Sequence, residues 1–326
     1  MTMSTTPTFE DVRAAAERIN GQARRTPLLA RTELDDITGR RVFLKPEMLQ
    51  RSGSFKFRGA YNRLSQLTSI EREAGVIAWS SGNHAQGVAA AAALAGTRAR
   101  IVMPEDAPQI KIDNTRALGA EVITYDRYTE DREAISYALA ERDGGTIVPS
   151  YDDVHIIAGQ GTVGLEIFED AAAIGESVDA LLICCGGGGL TAGCALSAEA
   201  LSPDTAVFCV EPEGYDDHAR SLRSGQRERA DTSRESLCDA LLAPTPGAMT
   251  FPINQRLLTG GLVVCEEEVR EAIRFAFKSL KLVVEPGGAV ALAALMSGKL
   301  DSRYERVAVV LSGGNVDPGA FAEYVK

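Results

Sequence analysis

The stretch GVIAWSSGNHAQGVAAAAALAG, residues 75–96, changes period once along its length. Residues 76–79 are apolar and include two β-branched side chains, as a strand covered on both faces requires. A polar turn of Ser80, Ser81, Gly82 and Asn83 follows, and then a small-residue run that stops at Gly96, where a glycine end suits a helix. A strand that runs through a short turn into a helix is half of a βαβ unit. The pattern repeats downstream. ARIVMP (99–104), EVITYD (121–126) and TIVPSY (146–151) read as strands; QIKIDNTRALG (109–119) and EDREAISYALAERDG (130–144) read as the helices between them.

The second half keeps the style. RVFLKPE (41–47), ALLICC (180–185), AVFCVEPEG (206–214), GGLVVC (260–265) and RVAVVL (306–311) read as strands. Helices are predicted from about 8 to 24, over 190–201, and from about 267 to 281. The polar stretch 224–236 reads as a surface loop or frayed helix. The fold class is therefore α/β, with two interleaved open-sheet domains. Residues 67–149 form the smaller, residues 1–66 and 150–326 the larger, and ligands are expected at strand C-terminal ends between them.

A net charge of −11 over 326 residues excludes nucleic acid or an anionic membrane as main partner, since both need a basic face. No run of about 18 apolar residues exists for a membrane span, and residues 1–12 lack the features of a secretory signal. The six cysteines form no C-x-x-C pair and read as reduced thiols of a cytoplasmic protein.

Four local features carry chemistry. The loop 80–84 offers two hydroxyls, an amide and a helix N-terminus, a cradle for a carboxylate; the competing reading is a simple N-cap at Ser81 or Asn83. Gly186, Gly187, Gly188 and Gly189 lie between a strand and a helix, where bare backbone and a helix N-terminus suit a phosphate. Gly187, Gly189 and Ala192, with Glu211 at the end of the next strand, also fit a dinucleotide fingerprint, so an NAD-dependent oxidoreductase is an alternative on that segment. Ser312 ends a hydrophobic strand, placed to meet a ring nitrogen or to cap a turn. Lys56 stands between Phe55 and Phe57 behind Ser-Gly-Ser, an amine in an apolar setting. Taken together these describe a pyridoxal phosphate site: an amine for the aldehyde, a cradle for the phosphate, donors for a substrate carboxylate and a partner for the pyridine nitrogen.

SGSFKFRGA, SSGNHAQG, AGQGT, GGGGL and LSGGN, in this order, resemble the serine/threonine dehydratase and serine racemase family. These are fold-type II pyridoxal phosphate enzymes of the tryptophan synthase β class. The likeness spans residues 25–317. No segment corresponds to the C-terminal regulatory domain of biosynthetic threonine dehydratases. The resemblance implies that Lys56 forms the Schiff base and acts as the α-proton base, and that Phe55 lies against the pyridine ring. It implies that Asn83 meets the phenolic oxygen, that Gly186–Gly189 hold the phosphate, and that Ser312 faces the ring nitrogen. A neutral hydroxyl there makes a weaker electron sink than a carboxylate partner.

Ser80, Ser81, Gly82, Asn83 and His84 would bind the substrate carboxylate. The Ser-Ser-Gly-Asn form is the one serine racemases carry, with Ser81 as acid/base opposite Lys56, though some dehydratases share it. Arg132 matches a racemase-like position; turned inward it would favour 3-hydroxyaspartate, and the competing reading is a helix-surface arginine. Glu211, Asp217 and the carbonyl of Tyr215 would bind Mg²⁺, or Ca²⁺ or Mn²⁺. His218 is expected at the surface, and Glu285 is left unassigned. Asp239-Ala240 stands where many relatives have Asp-Gly. The implied activity is conversion of L-threonine, L-serine or a related 3-hydroxy amino acid to a 2-keto acid and ammonia by a homodimer; the alternatives within the family are a racemase and a 3-hydroxyaspartate dehydratase.

Overall fold

The computed structural model describes residues 6–107 and 109–326. Among these, ten strands form two sheets: β1 (Leu29–Ala30), β2 (Arg41–Pro46), β3 (Val76–Trp79), β4 (Ala99–Pro104), β5 (Glu121–Tyr125), β6 (Thr146–Ile147), β7 (Ala180–Cys184), β8 (Ala206–Pro212), β9 (Gly260–Val264) and β10 (Arg306–Leu311). One sheet has the order β1-β2-β10-β7-β8-β9, the other β5-β4-β3-β6. Every pairing is parallel except β1 with β2. The expected α/β class with two parallel sheets is what the chain forms. Central strands such as β7 and β10 are almost wholly buried, as helices on both faces demand.

Two differences from the reading of the sequence bear on the site. TIVPSY forms a ladder only at Thr146–Ile147. The Val148 N–H still reaches the Ile77 carbonyl at 2.9 Å, but Pro149 has no N–H to continue. The second is a helix that the pattern did not announce, Val154–Ala173, 20 residues long. It is buried through most of its length and apolar around its circumference, so no amphipathic stripe marks it. Asp153 caps it, its carboxylate accepting from the N–H groups of His155 and Ile156. Against it lies the Gly189–Leu201 helix, and a Cβ on Gly193 would fall 2.6 Å from Gly161 Cα. Only glycine allows that crossing.

The Lys56–Leu64 helix is fixed to this frame by buried charge. The Arg58 guanidinium is fully enclosed, donating to Glu47 at 2.7 and 2.8 Å and to Glu166 at 2.7 and 2.8 Å. Lys45 Nζ also donates to Glu166, at 2.7 Å, and Thr26 Oγ1 to Glu47, at 2.6 Å. Charges taken out of water are tolerated only when each is paired, and removing one partner leaves the others exposed to the full desolvation cost. Arg58→Met is therefore expected to lose about 3–5 kcal/mol of stability in urea unfolding; an unchanged midpoint would contradict this account of the network.

Candidate active site

The loops that follow β3, β7 and β10 converge on the turn before Lys56. Ser54 makes an antiparallel bridge with Gly313, the Phe55 N–H donates to the Ser312 carbonyl at 3.1 Å, and the Gly314 N–H donates to the Gly53 carbonyl at 3.0 Å. These two hydrogen bonds, which make up the bridge, join segments about 260 residues apart in sequence. Lys56 opens its helix, with Nζ 5.1 Å from the centre of the Phe55 ring and donating to the Ser150 carbonyl at 2.8 Å. Part of the side chain stays reachable from outside, while the amine is surrounded by protein atoms. That burial lowers its pKa to about 8, against a small opposing effect of Cys184. The lysine is the desolvated amine, not a solvated one.

The helix after β3 begins at Asn83, and Gly82 is its N-cap; no side chain caps it. The N-cap reading of Ser81 or Asn83 therefore fails. The first-turn N–H groups keep their capacity to bind an anion beside Ser80 and Ser81. Ser80 Oγ accepts from the Gly82 N–H at 3.1 Å, which shapes the turn. Asn83 is held on both ends of its amide: Nδ2 donates to Glu285 Oε1 at 2.5 Å, and Oδ1 accepts from Asn315 Nδ2 at 2.7 Å. His84 is buried, with Nε2 2.8 Å from the Val148 carbonyl and Nδ1 without a partner. Burial and the nearby Lys56 charge lower it to about 3, so the ring is neutral, donates from Nε2 and keeps an acceptor lone pair at Nδ1.

Between β7 and the Gly189–Leu201 helix, Gly188 takes φ +91°, a conformation that side chains resist. The carbonyl of Gly187 accepts from Thr250 Oγ1 at 2.6 Å and from the Gly247 N–H at 3.1 Å, and that of Gly188 from Asn254 Nδ2 at 3.3 Å. The Tyr151 ring lies so close to Gly187 that any Cβ there would collide with it. A Cβ on Gly189 would come 2.6 Å from Gln160 Oε1. In the helix's first turn the Thr191 hydroxyl is buried without a partner. Ser312, also buried, lies within hydrogen-bonding reach of the Cys184 thiol. A bare-backbone cradle, an unpaired hydroxyl, an enclosed amine and a strand-end serine form a donor set that fits a phosphate-bearing aldehyde.

The acidic residues form a separate buried group. Glu211 is fully enclosed and accepts from the N–H groups of His218 at 2.9 Å and Ala219 at 2.7 Å. With both oxygens engaged away from solvent, it is not placed for a ribose, and the dinucleotide reading of Gly187, Gly189 and Ala192 falls. Asp217 is buried too, and its Oδ2 has no partner. Burial, and then the neighbouring Asp217, push Glu211 well above the usual carboxylate range; burial raises Asp217 to about 7. Two adjacent acids in this state fit a cation. Tyr215 is buried beside them, its hydroxyl donating to the Arg234 carbonyl at 3.2 Å. His218 is not at the surface as expected but fully buried, because the Asp217–Ser224 helix turns it inward.

Arg132 opens the Arg132–Asp143 helix and is exposed. Its charge acts on the Tyr151 hydroxyl, whose pKa is raised mainly by burial. Reading the sequence missed Tyr151 and Asn315 and left Glu285 unassigned. Asn315 was already within LSGGN, whereas nothing around Glu285 announces a buried acid. Burial, and then the nearby Asp239, raise Glu285 to about 8, against the hydrogen bond from Asn83. A carboxyl whose folded pKa is raised stabilises the fold at low pH and loses that contribution as pH climbs from about 4.5 to about 8. In cofactor-stripped protein, the melting temperature should therefore fall across this window more steeply for the wild type than for Glu285→Gln; parallel curves would show that Glu285 is already ionised.

Comparison with known proteins follows the same lines. Residues 19–313 match the family described as pyridoxal-phosphate dependent enzyme. An L-threo-3-hydroxyaspartate ammonia-lyase from Pseudomonas sp is 46% identical over 318 residues, covering 98% of both chains. A serine racemase from Schizosaccharomyces pombe is 41% identical, covering 98% of this chain and 97% of its own. Among solved structures, a threonine deaminase from T.th. superposes with a TM-score of 0.90 at 44% identity, over 95% of this chain and 99% of that one.

Proposed function

This chain belongs to the pyridoxal-phosphate dependent enzyme family, and we propose that within it the protein is an ammonia-lyase of 3-hydroxy amino acids that works through Lys56. The carrying observation is the enclosed Lys56 amine, titrating near 8 where the three loops meet. Bound pyridoxal phosphate supplies an electron sink that acidifies the α-hydrogen of the amino acid it holds. The residues of the chain do the rest. At pH 7 roughly a tenth of an amine with pKa 8 is neutral, against roughly one in three thousand for an ordinary lysine. Lys56 is thereby a competent base for the α-proton.

The remaining roles follow from position. Gly186, Gly187, Gly188 and Gly189 would hold the phosphate at the helix N-terminus. Phe55 would flank the ring, Asn83 would meet its phenolic oxygen and Ser312 its nitrogen. Ser80, Ser81, Gly82, Asn83 and His84 would take the substrate carboxylate on the uncapped first turn, with the neutral His84 adding no charge of its own. We place L-threo-3-hydroxyaspartate ahead of L-threonine and L-serine. The 46% identical relative supports this, as does the exposed Arg132, whose charge reaches Tyr151 and which, turned inward, would face a second carboxylate.

Glu211, Asp217 and the Tyr215 carbonyl would hold Mg²⁺, or Ca²⁺ or Mn²⁺, supported by the unpartnered Asp217 oxygen. A homodimer in the cytoplasm, with residues 67–149 as the smaller domain, completes the reading; six free thiols support a reducing compartment. Among the described residues no helix is long and apolar enough to cross a membrane.

A second reading, an amino-acid racemase, draws on Ser81. Its hydroxyl has no capping duty, which leaves it for proton transfer opposite Lys56. Keto-acid formation and enantiomer content, measured together from L-threonine, L-serine and both 3-hydroxyaspartate diastereomers, separate the two. Keto acid is expected to form fastest from the L-threo diastereomer, and Lys56→Ala to lower the rate at least about 100-fold. Dominant D-product would favour the racemase, and full activity of Lys56→Ala would end both readings.

A further inference from the structure

Behind the glycine loop, Cys185, Glu211 and His218 converge from three directions. Cys185 follows β7, Glu211 lies near the end of β8, and His218 sits in the first turn of the Asp217–Ser224 helix. All three are buried, and one ligand atom from each lies within 4.8 Å of the others. His218 Nδ1 has no well-formed hydrogen bond although the residue is fully enclosed: it meets the Cys185 thiol, and it stands 4.0 Å from Glu211 Oε1. We propose that Cys185, Glu211 and His218 form a binding site for a borderline divalent transition metal of the Zn²⁺ or Co²⁺ class.

The donor types decide the class. A thiolate and an imidazole are poor ligands for Mg²⁺ and Ca²⁺, and together they select Zn²⁺-like ions. Tetrahedral bonds of about 2.0–2.3 Å place ligand atoms roughly 3.3–3.8 Å apart, so shifts on the order of an ångström bring this group into range. A water supplies the fourth position. Binding releases the Cys185 proton together with the proton that the enclosed Glu211 carries, and no electron is transferred.

The surroundings of His218 fit this role. A metal-bound imidazole donates its other N–H to an acceptor that fixes the ring. Nε2 lies 3.0 Å from the Asn254 amide nitrogen, and Asn254 Oδ1 is buried without a partner. Turning that amide by half a turn places the unpaired oxygen opposite Nε2–H, and both unsatisfied atoms, Nδ1 and Oδ1, find partners at once. The same turn gives up the Asn254 Nδ2 bond to the Gly188 carbonyl, so the metal would loosen the back of the loop proposed to hold the phosphate.

The site shares Glu211 with the oxygen-donor cation site proposed above, but it rests on a thiol and an imidazole that Mg²⁺ does not use. The test is holoenzyme produced in minimal medium with Co²⁺ as the added transition metal and washed with chelator. The expected result is retained, stoichiometric Co²⁺ with strong visible bands and a thiolate-to-cobalt transition, read as a difference against Zn²⁺-loaded protein so that cofactor absorption cancels. Cys185→Ser should abolish the thiolate transition, and Cys185→Ser and His218→Gln should each weaken retention at least about 10-fold. Loss of all Co²⁺ to the chelator, or a weak six-coordinate spectrum unchanged in both variants, would overturn the proposal. Thermal stabilisation by Mg²⁺, followed in Cys185→Ser, separates this failure from that of the oxygen-donor site: it persists there only if the carboxylates bind Mg²⁺ by themselves.

Discussion

The structure depends on the pairing of Arg58 with Glu47 and Glu166. A guanidinium with no solvent contact is tolerable only because its donors reach two carboxylates at 2.7–2.8 Å. Glu47 follows β2 and Glu166 lies in the Val154–Ala173 helix, so one side chain ties the first turn of the Lys56–Leu64 helix to both. Lys56 is two residues upstream. Its position is inherited from a charge network that performs no chemistry itself, and Arg58, Lys45 and Glu47 in it have no water to fall back on.

With the helix fixed, the sheets bring the other parts to it. Parallel strands deliver their C-terminal ends on one side, and the loops after β3, β7 and β10 meet the lysine turn there. Electrostatics then set the tone of the site. Burial lowers the amine of Lys56 and the ring of His84 and raises Glu285. At neutral pH the enclosure therefore holds a partly neutral amine, a neutral imidazole and a largely protonated carboxyl. A chain with a net charge of −11 thus surrounds its candidate anion sites with backbone amides and neutral donors.

Much of this was legible in the sequence, for definite reasons. The strand-to-glycine junction at 184–189 and the strand-to-serine junction at 79–83 are contiguous in the chain, so composition alone marks them. The Phe9–Ile19 helix shows its start through Thr8 and Asp11, which form a reciprocal capping pair. What stayed hidden depends on contacts between distant segments. Glu285 looks like any helix-capping acid until Asn83, 202 residues away, is placed against it. His218 follows two aspartates and reads as surface, yet its helix rolls it toward Cys185 and Asn254. The Val154–Ala173 helix lacks a polar face, so periodicity had nothing to detect.

The central claim is that the enclosed amine of Lys56, and no other lysine of the chain, binds the cofactor aldehyde. Borohydride reduction of the protein as isolated, followed by peptide mapping, tests it directly. The account predicts a single stable pyridoxyl adduct, on the peptide containing Phe55, Lys56 and Phe57. An adduct on any other lysine, or a reduced protein that carries no adduct at all, would contradict it.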